Sequence, residues 1–415
     1  MNILFIHQSF PGQFKHLVPS LVEKGHNVLG MSINNKNNDT FEGSKIISYK
    51  PSRGSTKDVH PWVSDFETKV IRAEACLRRA IELKDSGFYP ELIIAHHGWG
   101  ESLFLKQLWP KAKLGIYCEF FYLSEGADVG FDPEFPPEDV GERYRIMLKN
   151  INNIMHFQNA DAGISPTYWQ ATTFPEPFRS KISIIHDGID TEKLVPNAKV
   201  KLILNGTLAL TKQDEVITFV NRNLEPYRGY HIFMRSLPEI LRSRPNANIL
   251  IIGGDQVSYG AKPKNNESWK NIFFNEIRPQ LTEDQLSRIF FLGNISYADF
   301  ISVLQVSTVH VYLTYPFVLS WSLLEAMSVG CSIVASDTKP LHEVIVQNKT
   351  GRLVDFFDFK KLSKDICFLL ENPAERIRLG KNARNFIRQN YDLKNVCLPK
   401  QLEWIDSLVK INNAN

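Results

Sequence analysis

What most constrains this chain is a regular alternation of short apolar runs of strand length with longer segments whose apolar residues recur at helical spacing. NILFIH, HNVLGMSI, ELIIAH, KLGIYCEF, DAGIS and KISIIH punctuate the first half, and a helix-like stretch at residues 13–24 follows the first of them. After HDGIDTEKLVPNAKV the alternation restarts: EVITFVNR, a helix through HIFMRSLPEILRSR, ANILIIGG, RIFFLGN, VHVYLT, a helix through SWSLLEAMSVG, and CSIVASD. Strands separated by helices pair in parallel, with the helices covering both faces of the sheet. Two such series predict an α/β chain of two Rossmann-like, doubly wound parallel-sheet domains facing a central cleft. The polar, proline-containing stretch at residues 191–200 separates them, so domains are expected at residues 1–195 and 196–390. Residues 391–415 are helical in pattern, contain QLEWIDSLVKI, and are expected to return to the first domain.

A length of 415 residues accommodates two such cores, and 43% hydrophobic with 22% charged residues excludes disorder as the main state. Lys and Arg number 48 against 45 Asp and Glu, a net charge of +3, too small to imply nucleic-acid binding by bulk charge. Cys76, Cys118, Cys331, Cys367 and Cys397 lie far apart, which argues against a zinc cluster, a redox pair or a disulfide framework and fits a reducing cytoplasm. The first apolar run reaches Pro11-Gly12 too soon for a signal peptide, and no window approaches the ~18 apolar residues of a membrane span, so any membrane contact is peripheral. The run at residues 69–84, KVIRAEACLRRAIELK, reads as a basic amphipathic helix. A solvated face is its favoured reading, and contact with a membrane surface or an acceptor is the other.

No Gly-x-Gly-x-x-Gly follows a strand, no phosphate loop ends in Gly-Lys-Ser/Thr, and no His-Glu-x-x-His is present, so dehydrogenase, P-loop ATPase and zinc-protease readings fall. In residues 312–345 a strand leads through a proline-containing loop into a helix beginning near Ser320. The amides from Leu319 to Ser322, with the Ser320 and Ser322 hydroxyls, suit an anion such as a diphosphate at the helix amino terminus. Glu325 falls on the second turn, where a carboxylate can accept hydrogen bonds from two ribose hydroxyls.

The segment Leu324-Glu325-Ala326-Met327-Ser328-Val329-Gly330, followed by Ser336-Asp337 and His342-Glu343-Val344-Ile345, is similar to the donor-binding region of glycosyltransferase family 4, retaining group 1 glycosyltransferases of the GT-B fold. The resemblance covers nearly the whole chain. It implies an acceptor-side first domain, a nucleotide-sugar-binding second domain, and retaining transfer from a nucleotide diphosphate sugar to a glycan or lipid-linked acceptor. It also implies cell-surface polysaccharide or lipopolysaccharide assembly as the setting, with no metal and no cofactor. By the same resemblance Glu325 holds the donor ribose. Arg222, ending FVNR, and Arg228, in YRG, stand where the family's two diphosphate-binding cations stand, Arg228 replacing Lys. Gly253 in IIGGD and Asn294 in FLGNIS match turns where backbone approaches phosphate and base. Gly12 lies in a loop resembling the one under donor and acceptor, and His97 is preferred over His96 as the histidine contacting the donor sugar, since neighbours on a strand point opposite ways. Phe317 departs from the pattern, standing eight positions before Glu325 where the family usually has a sugar-facing Glu. Since retaining transfer must stabilise oxocarbenium charge, this implies rebuilt sugar recognition or lost activity. The alternatives are a catalytically degenerate partner of another transferase, or an epimerase or phosphorylase on the same fold.

Overall fold

The computed structural model describes residues 1–34, 39–137, 139, 141–264 and 267–410. The chain forms two compact units, one from Met1–Gly188 together with the chain from Lys394 onward, the other from Ile189–Leu393. The change-over thus falls a few residues before 195/196, because Ile189 already pairs with Asp392 and packs into the second core. Residues 411–415 of the expected returning segment lie outside the described residues.

In the first unit the strands are β1 (Asn2–Ile6), β2 (Asn27–Ser32), β3 (Thr40–Phe41), β4 (Ser44–Ser48), β5 (Leu92–Ala95), β6 (Lys113–Tyr117), β7 (Ala162–Ser165) and β8 (Ile182–Ile184). Among the described residues they form one sheet in the order β3-β4-β2-β1-β5-β6-β7-β8, parallel except for β3 against β4. Both faces are apolar, as a doubly wound sheet requires. Ile3 and Phe5 face a core shared with Leu92, Ile94, Trp404, Ile405 and Leu408, while Leu4 and Ile6 face one shared with Ile93, Ala95, Cys76 and Ala80. The returning helix Leu398–Lys410 therefore closes one face of this sheet, and Trp404 sits so near Gly115 of β6 that a Cβ there would come within 2.7 Å of its ring.

The second unit opens with a hairpin, β9 (Lys201–Leu204) and β10 (Leu208–Thr211), that the alternation of apolar runs did not lead us to expect. Its signal is Asn205-Gly206, whose φ values of 49° and 72° suit the tight turn that joins twisted antiparallel strands. The main sheet comprises β11 (Val216–Asn223), β12 (Asn248–Gly254), β13 (Ile289–Gly293), β14 (Val309–Tyr312), β15 (Ser332–Ser336) and β16 (Arg352–Val354). Their order is β13-β12-β11-β14-β15-β16, parallel throughout. The chain winds outward from β11 in one direction, then resumes at β14 in the other, which opens a crevice beyond the carboxyl ends of β11 and β14. In the first unit the same reversal falls between β1 and β5.

No helix among the described residues is long and apolar enough to cross a membrane. The basic helix expected at residues 69–84 is part of Ser64–Asp85, and its character needs correction: its five cations are matched by five acids on the same helix. Lys69 is buried against Asp65, Arg78 pairs with Glu74 at 2.5 Å, and Arg79 pairs with Glu82. These three ion pairs offset part of the helix's positive charge along its own surface.

Candidate functional site

At the β11/β14 crevice the second unit encloses a cavity of about 190 Å³. Asn221, Arg222 and Asn223 reach it from the end of β11, Glu225 and Arg228 from the turn that follows, Tyr259 from the connection after β12, and Ser320 and Ser322 from the start of the helix Trp321–Val329. Pockets for drug-sized ligands run to roughly 300–1,000 Å³, so this one is small and suits part of a ligand such as a diphosphate.

Arg228 is 5% exposed, and its Nη1 donates to Tyr312 Oη (3.1 Å), Thr314 Oγ1 (2.8 Å) and the Val318 carbonyl (3.1 Å). All three acceptors are neutral, and among the described residues no carboxylate forms an ion pair with Arg228 or with exposed Arg222. A guanidinium without a carboxylate ion pair beside a cavity suits an anion, because a bound anion would offset part of the several kcal/mol, roughly, that burying the charge costs. Gly229 permits this placement: its φ is 67°, and a Cβ there would come within 2.3 Å of Leu313. The helix contributes in the same sense. Ser320 caps it, its Oγ accepting from the Ser322 amide at 3.3 Å, and the Ser320 amide donates to the same Tyr312 hydroxyl that Arg228 uses.

Glu325 lies one turn beyond Ser322, 9% exposed, and accepts a hydrogen bond from Tyr297 Oη at 2.7 Å. Burial, then the Glu325 carboxylate, pushes the Tyr297 phenol pKa up, so Tyr297 remains a donor. Leu319 packs into the hydrophobic core, leaving only its backbone near the helix start. Gly253 and Asn294 do not line the cavity. Gly253 is held by close approach to Leu224 and the Asn221 carbonyl, and Asn294 is exposed beside Gly254. Phe317 is also off the cavity wall. Its ring, 6% exposed, packs edge-on to Tyr227 at 5.3 Å and against Tyr259 at 5.2 Å, so it buttresses an aromatic cluster.

In the first unit Gly12 has φ 50°, and a Cβ there would lie about 2.1 Å from the His7 ring, so glycine is required by His7. His7 is held between Gln13 (2.7 Å) and the Ser9 amide (3.0 Å), and burial, then His96, lowers its pKa to about 4. His97 is bonded within the interior of the first unit. Its Nδ1 lies 3.1 Å from the Tyr117 carbonyl and its Nε2 2.9 Å from Asn153 Oδ1, so both ring nitrogens are committed to the protein interior, and burial drives its pKa down. β5 ends at Ala95 and His97 begins a 3-10 turn, which breaks the alternation on which that choice rested. His96 stacks on Trp99 at 3.9 Å and has no hydrogen bond on either nitrogen, with Nε2 3.5 Å from a Glu119 carboxylate oxygen. Asn221, Asn223, Glu225 and Tyr259 also line the cavity and were not among the residues that motif reading selected.

Comparison with known proteins accords with this geometry. Residues 24–194 match the Glycosyl transferase family 4 group and residues 205–386 match Glycosyl transferases group 1. A glycosyltransferase of Methanocaldococcus jannaschii is 27% identical over 214 residues, 51% of this chain and 50% of that protein. The D-inositol 3-phosphate glycosyltransferase of Corynebacterium efficiens is 26% identical over 213 residues, 50% of this chain and 47% of that protein. The chain thus spans about half the length of the curated relatives it matches. Among solved structures, sucrose-phosphate synthase from Thermosynechococcus elongatus superposes with a TM-score of 0.74 at 16% identity, over 99% of this chain and 100% of that one. Anabaena HepE, in complex with UDP and glucose, superposes with a TM-score of 0.67 at 16% identity, over 98% of this chain and 100% of that one. The fold, two doubly wound parallel-sheet units, is GT-B. The chain belongs to the GT-B group 1 glycosyltransferases, with the family 4 group matched over residues 24–194 and group 1 over residues 205–386.

Proposed function

We propose that this protein is a retaining glycosyltransferase that moves a sugar from a nucleotide diphosphate sugar to a hydroxyl of a glycan or lipid-linked acceptor, in cytoplasmic steps of cell-surface polysaccharide or lipopolysaccharide assembly. The observation that carries this reading is buried, unneutralised Arg228 sharing one cavity with Arg222 and the amino terminus of the helix Trp321–Val329. Two guanidinium groups and a helix dipole suit the diphosphate in the ground state and, more strongly, the charge that develops on it as the glycosidic bond breaks. Those cations take the neutralising role for which other transferases recruit a metal ion. The released phosphate oxygen then serves as base for the incoming hydroxyl on the same face of the sugar, which preserves the anomeric configuration. The complex of HepE with UDP and glucose supports a nucleotide-sugar ligand on this fold.

Calorimetric titration with UDP, GDP and their glucose, N-acetylglucosamine and mannose conjugates tests the reading, followed by donor hydrolysis for any binder. Binding of one sugar nucleotide, with slow release of its diphosphate in the presence of EDTA, is the expected result. Absence of binding across the panel overturns the reading, and hydrolysis that stops in EDTA and resumes with magnesium overturns its metal-free form. Glu325→Gln should weaken a nucleoside diphosphate by about tenfold or more, the loss of one charge-assisted hydrogen bond. Inhibition by inorganic pyrophosphate, which has no ribose, should be unchanged, and equal losses for both ligands would remove Glu325 from the ribose.

A further inference from the structure

The turn at residues 258–260 is held by a side chain rather than by a backbone ladder. Glu225, 1% exposed, gives its carboxylate to three consecutive amides: Ser258 donates to Oε1 at 3.1 Å, and Tyr259 and Gly260 each donate to Oε2 at 3.2 Å. Asn223, at the end of β11, adds a second tether by donating from Nδ2 to Ser258 Oγ at 2.7 Å. A buried carboxylate must be compensated by donors, and here the donors are the backbone of the turn itself, so the compensation and the fixing of the turn are one interaction.

The residue fixed in its middle is Tyr259. Its ring lies over the Arg228 guanidinium at 5.1 Å and against Phe317 and Tyr227 at 5.2 and 5.7 Å, yet 40% of the residue stays exposed while it lines the cavity. An aromatic ring stacked on the cation that binds a phosphate lies within reach of whatever that phosphate esterifies. Sugars present a flat C–H face that packs on such a ring while their hydroxyls bond at its edge.

We propose that Glu225 is a positioning residue that holds Tyr259 as the aromatic wall for the sugar of the donor. The proposal rests on the nucleotide-sugar reading above. Without the Glu225 carboxylate the turn loses its three shared acceptor contacts, Tyr259 leaves Arg228, and the sugar half of the donor loses its wall while the diphosphate half keeps its cations.

Titration of the full chain with UDP-glucose against UDP, or GDP-mannose against GDP, whichever pair the wild type binds, tests this on Tyr259→Ala, Tyr259→Phe, Glu225→Gln, Glu225→Ala and the Glu225→Ala/Tyr259→Ala double variant. Tyr259→Ala and Glu225→Ala should each weaken the sugar nucleotide by about tenfold and leave the diphosphate within about twofold. Tyr259→Phe, which keeps the ring and loses only the hydroxyl's hydrogen bond with Arg228, should lose less than Tyr259→Ala, and the double variant should be no weaker than either single one, since both remove the same wall. Should Glu225→Ala fail to fold, Glu225→Gln, which keeps the shape and one acceptor oxygen, should show a smaller loss of the same kind. Unchanged sugar-nucleotide affinity in the Glu225 variants, equal losses for diphosphate and sugar nucleotide, or additive losses in the double variant would overturn the proposal and leave the nucleotide-sugar reading standing. A wild type that binds neither pair overturns both.

Discussion

Arg228→Ala should abolish most donor binding while leaving the ligand-free protein nearly as stable as before. Each charge-assisted hydrogen bond from a guanidinium to a phosphate oxygen contributes about 1.5 to 3 kcal/mol, and Arg228 can offer two, so donor affinity should fall by roughly two orders of magnitude or more. Stability responds differently because two effects oppose each other. Removing Arg228 strips Tyr312 Oη, Thr314 Oγ1 and the Val318 carbonyl of a donor, at about 1 kcal/mol each. It also removes a buried charge that no carboxylate balances, whose desolvation costs several kcal/mol, roughly. We expect a Tm within a few degrees of wild type and the loss of the thermal shift that the donor produces in wild type. A large fall in Tm with donor affinity intact would make Arg228 a structural strut and remove it from the diphosphate. Arg228→Lys should rescue only partly, since one ammonium on a flexible stem cannot span the same acceptors and a phosphate together.

Phe317→Glu should destabilise the second unit and lower donor affinity. Phe317 is 6% exposed between Tyr227 and Tyr259, so the change removes a buried aromatic side chain and places a carboxylate among rings. Replacing a buried Phe with a small residue costs about 3 to 5 kcal/mol, and the unpaired carboxylate adds to that unless it is protonated. At about 2 to 4 °C per kcal/mol for a unit of this size, the Tm of the second unit should drop by roughly 10 °C. Because Tyr259 leans on Phe317 and covers Arg228, donor binding should weaken along with stability. Differential scanning calorimetry with donor titration checks both. Preserved stability with a gain of transfer would show instead that the wild-type protein is a degenerate transferase one side chain away from activity.

Much of the architecture was written in local pattern. VITFV in β11 and ILIIGG in β12 are continuous apolar runs because a central parallel strand is buried on both faces, and a run of that kind needs no tertiary information to be read. The start of the helix at Trp321 was legible from Ser320, a side chain that caps its own helix within a few residues. What local pattern could not show depends on contacts far apart in the chain. The bonds from residues 258–260 to Glu225 span more than 30 positions, and nothing in LEPYRG signals where that carboxylate turns. The His96/His97 choice rested on strand parity, which lapses where the strand stops. Residues 69–84 were read for their cations alone, although Glu74 and Glu82 were in the same string at helical spacing. Nothing local in the string around Phe317 signals that its ring packs between Tyr227 and Tyr259.

The return of Leu398–Lys410 to the sheet of the first unit imposes an order on synthesis. Ile3, Phe5, Leu92 and Ile94 are translated before the second unit, yet Trp404, Ile405 and Leu408, which pack with them, are translated after it. At about 5 to 20 residues per second, the roughly 200 residues of the second unit take about 10 to 40 s to translate, and through that interval Leu17, Val18 and Leu21 cover only part of this apolar sheet face of the nascent first unit. The unit encoded second is therefore the first able to complete its core. A nascent chain stalled before residue 394 presents to chaperones the hydrophobic surface that the finished protein hides.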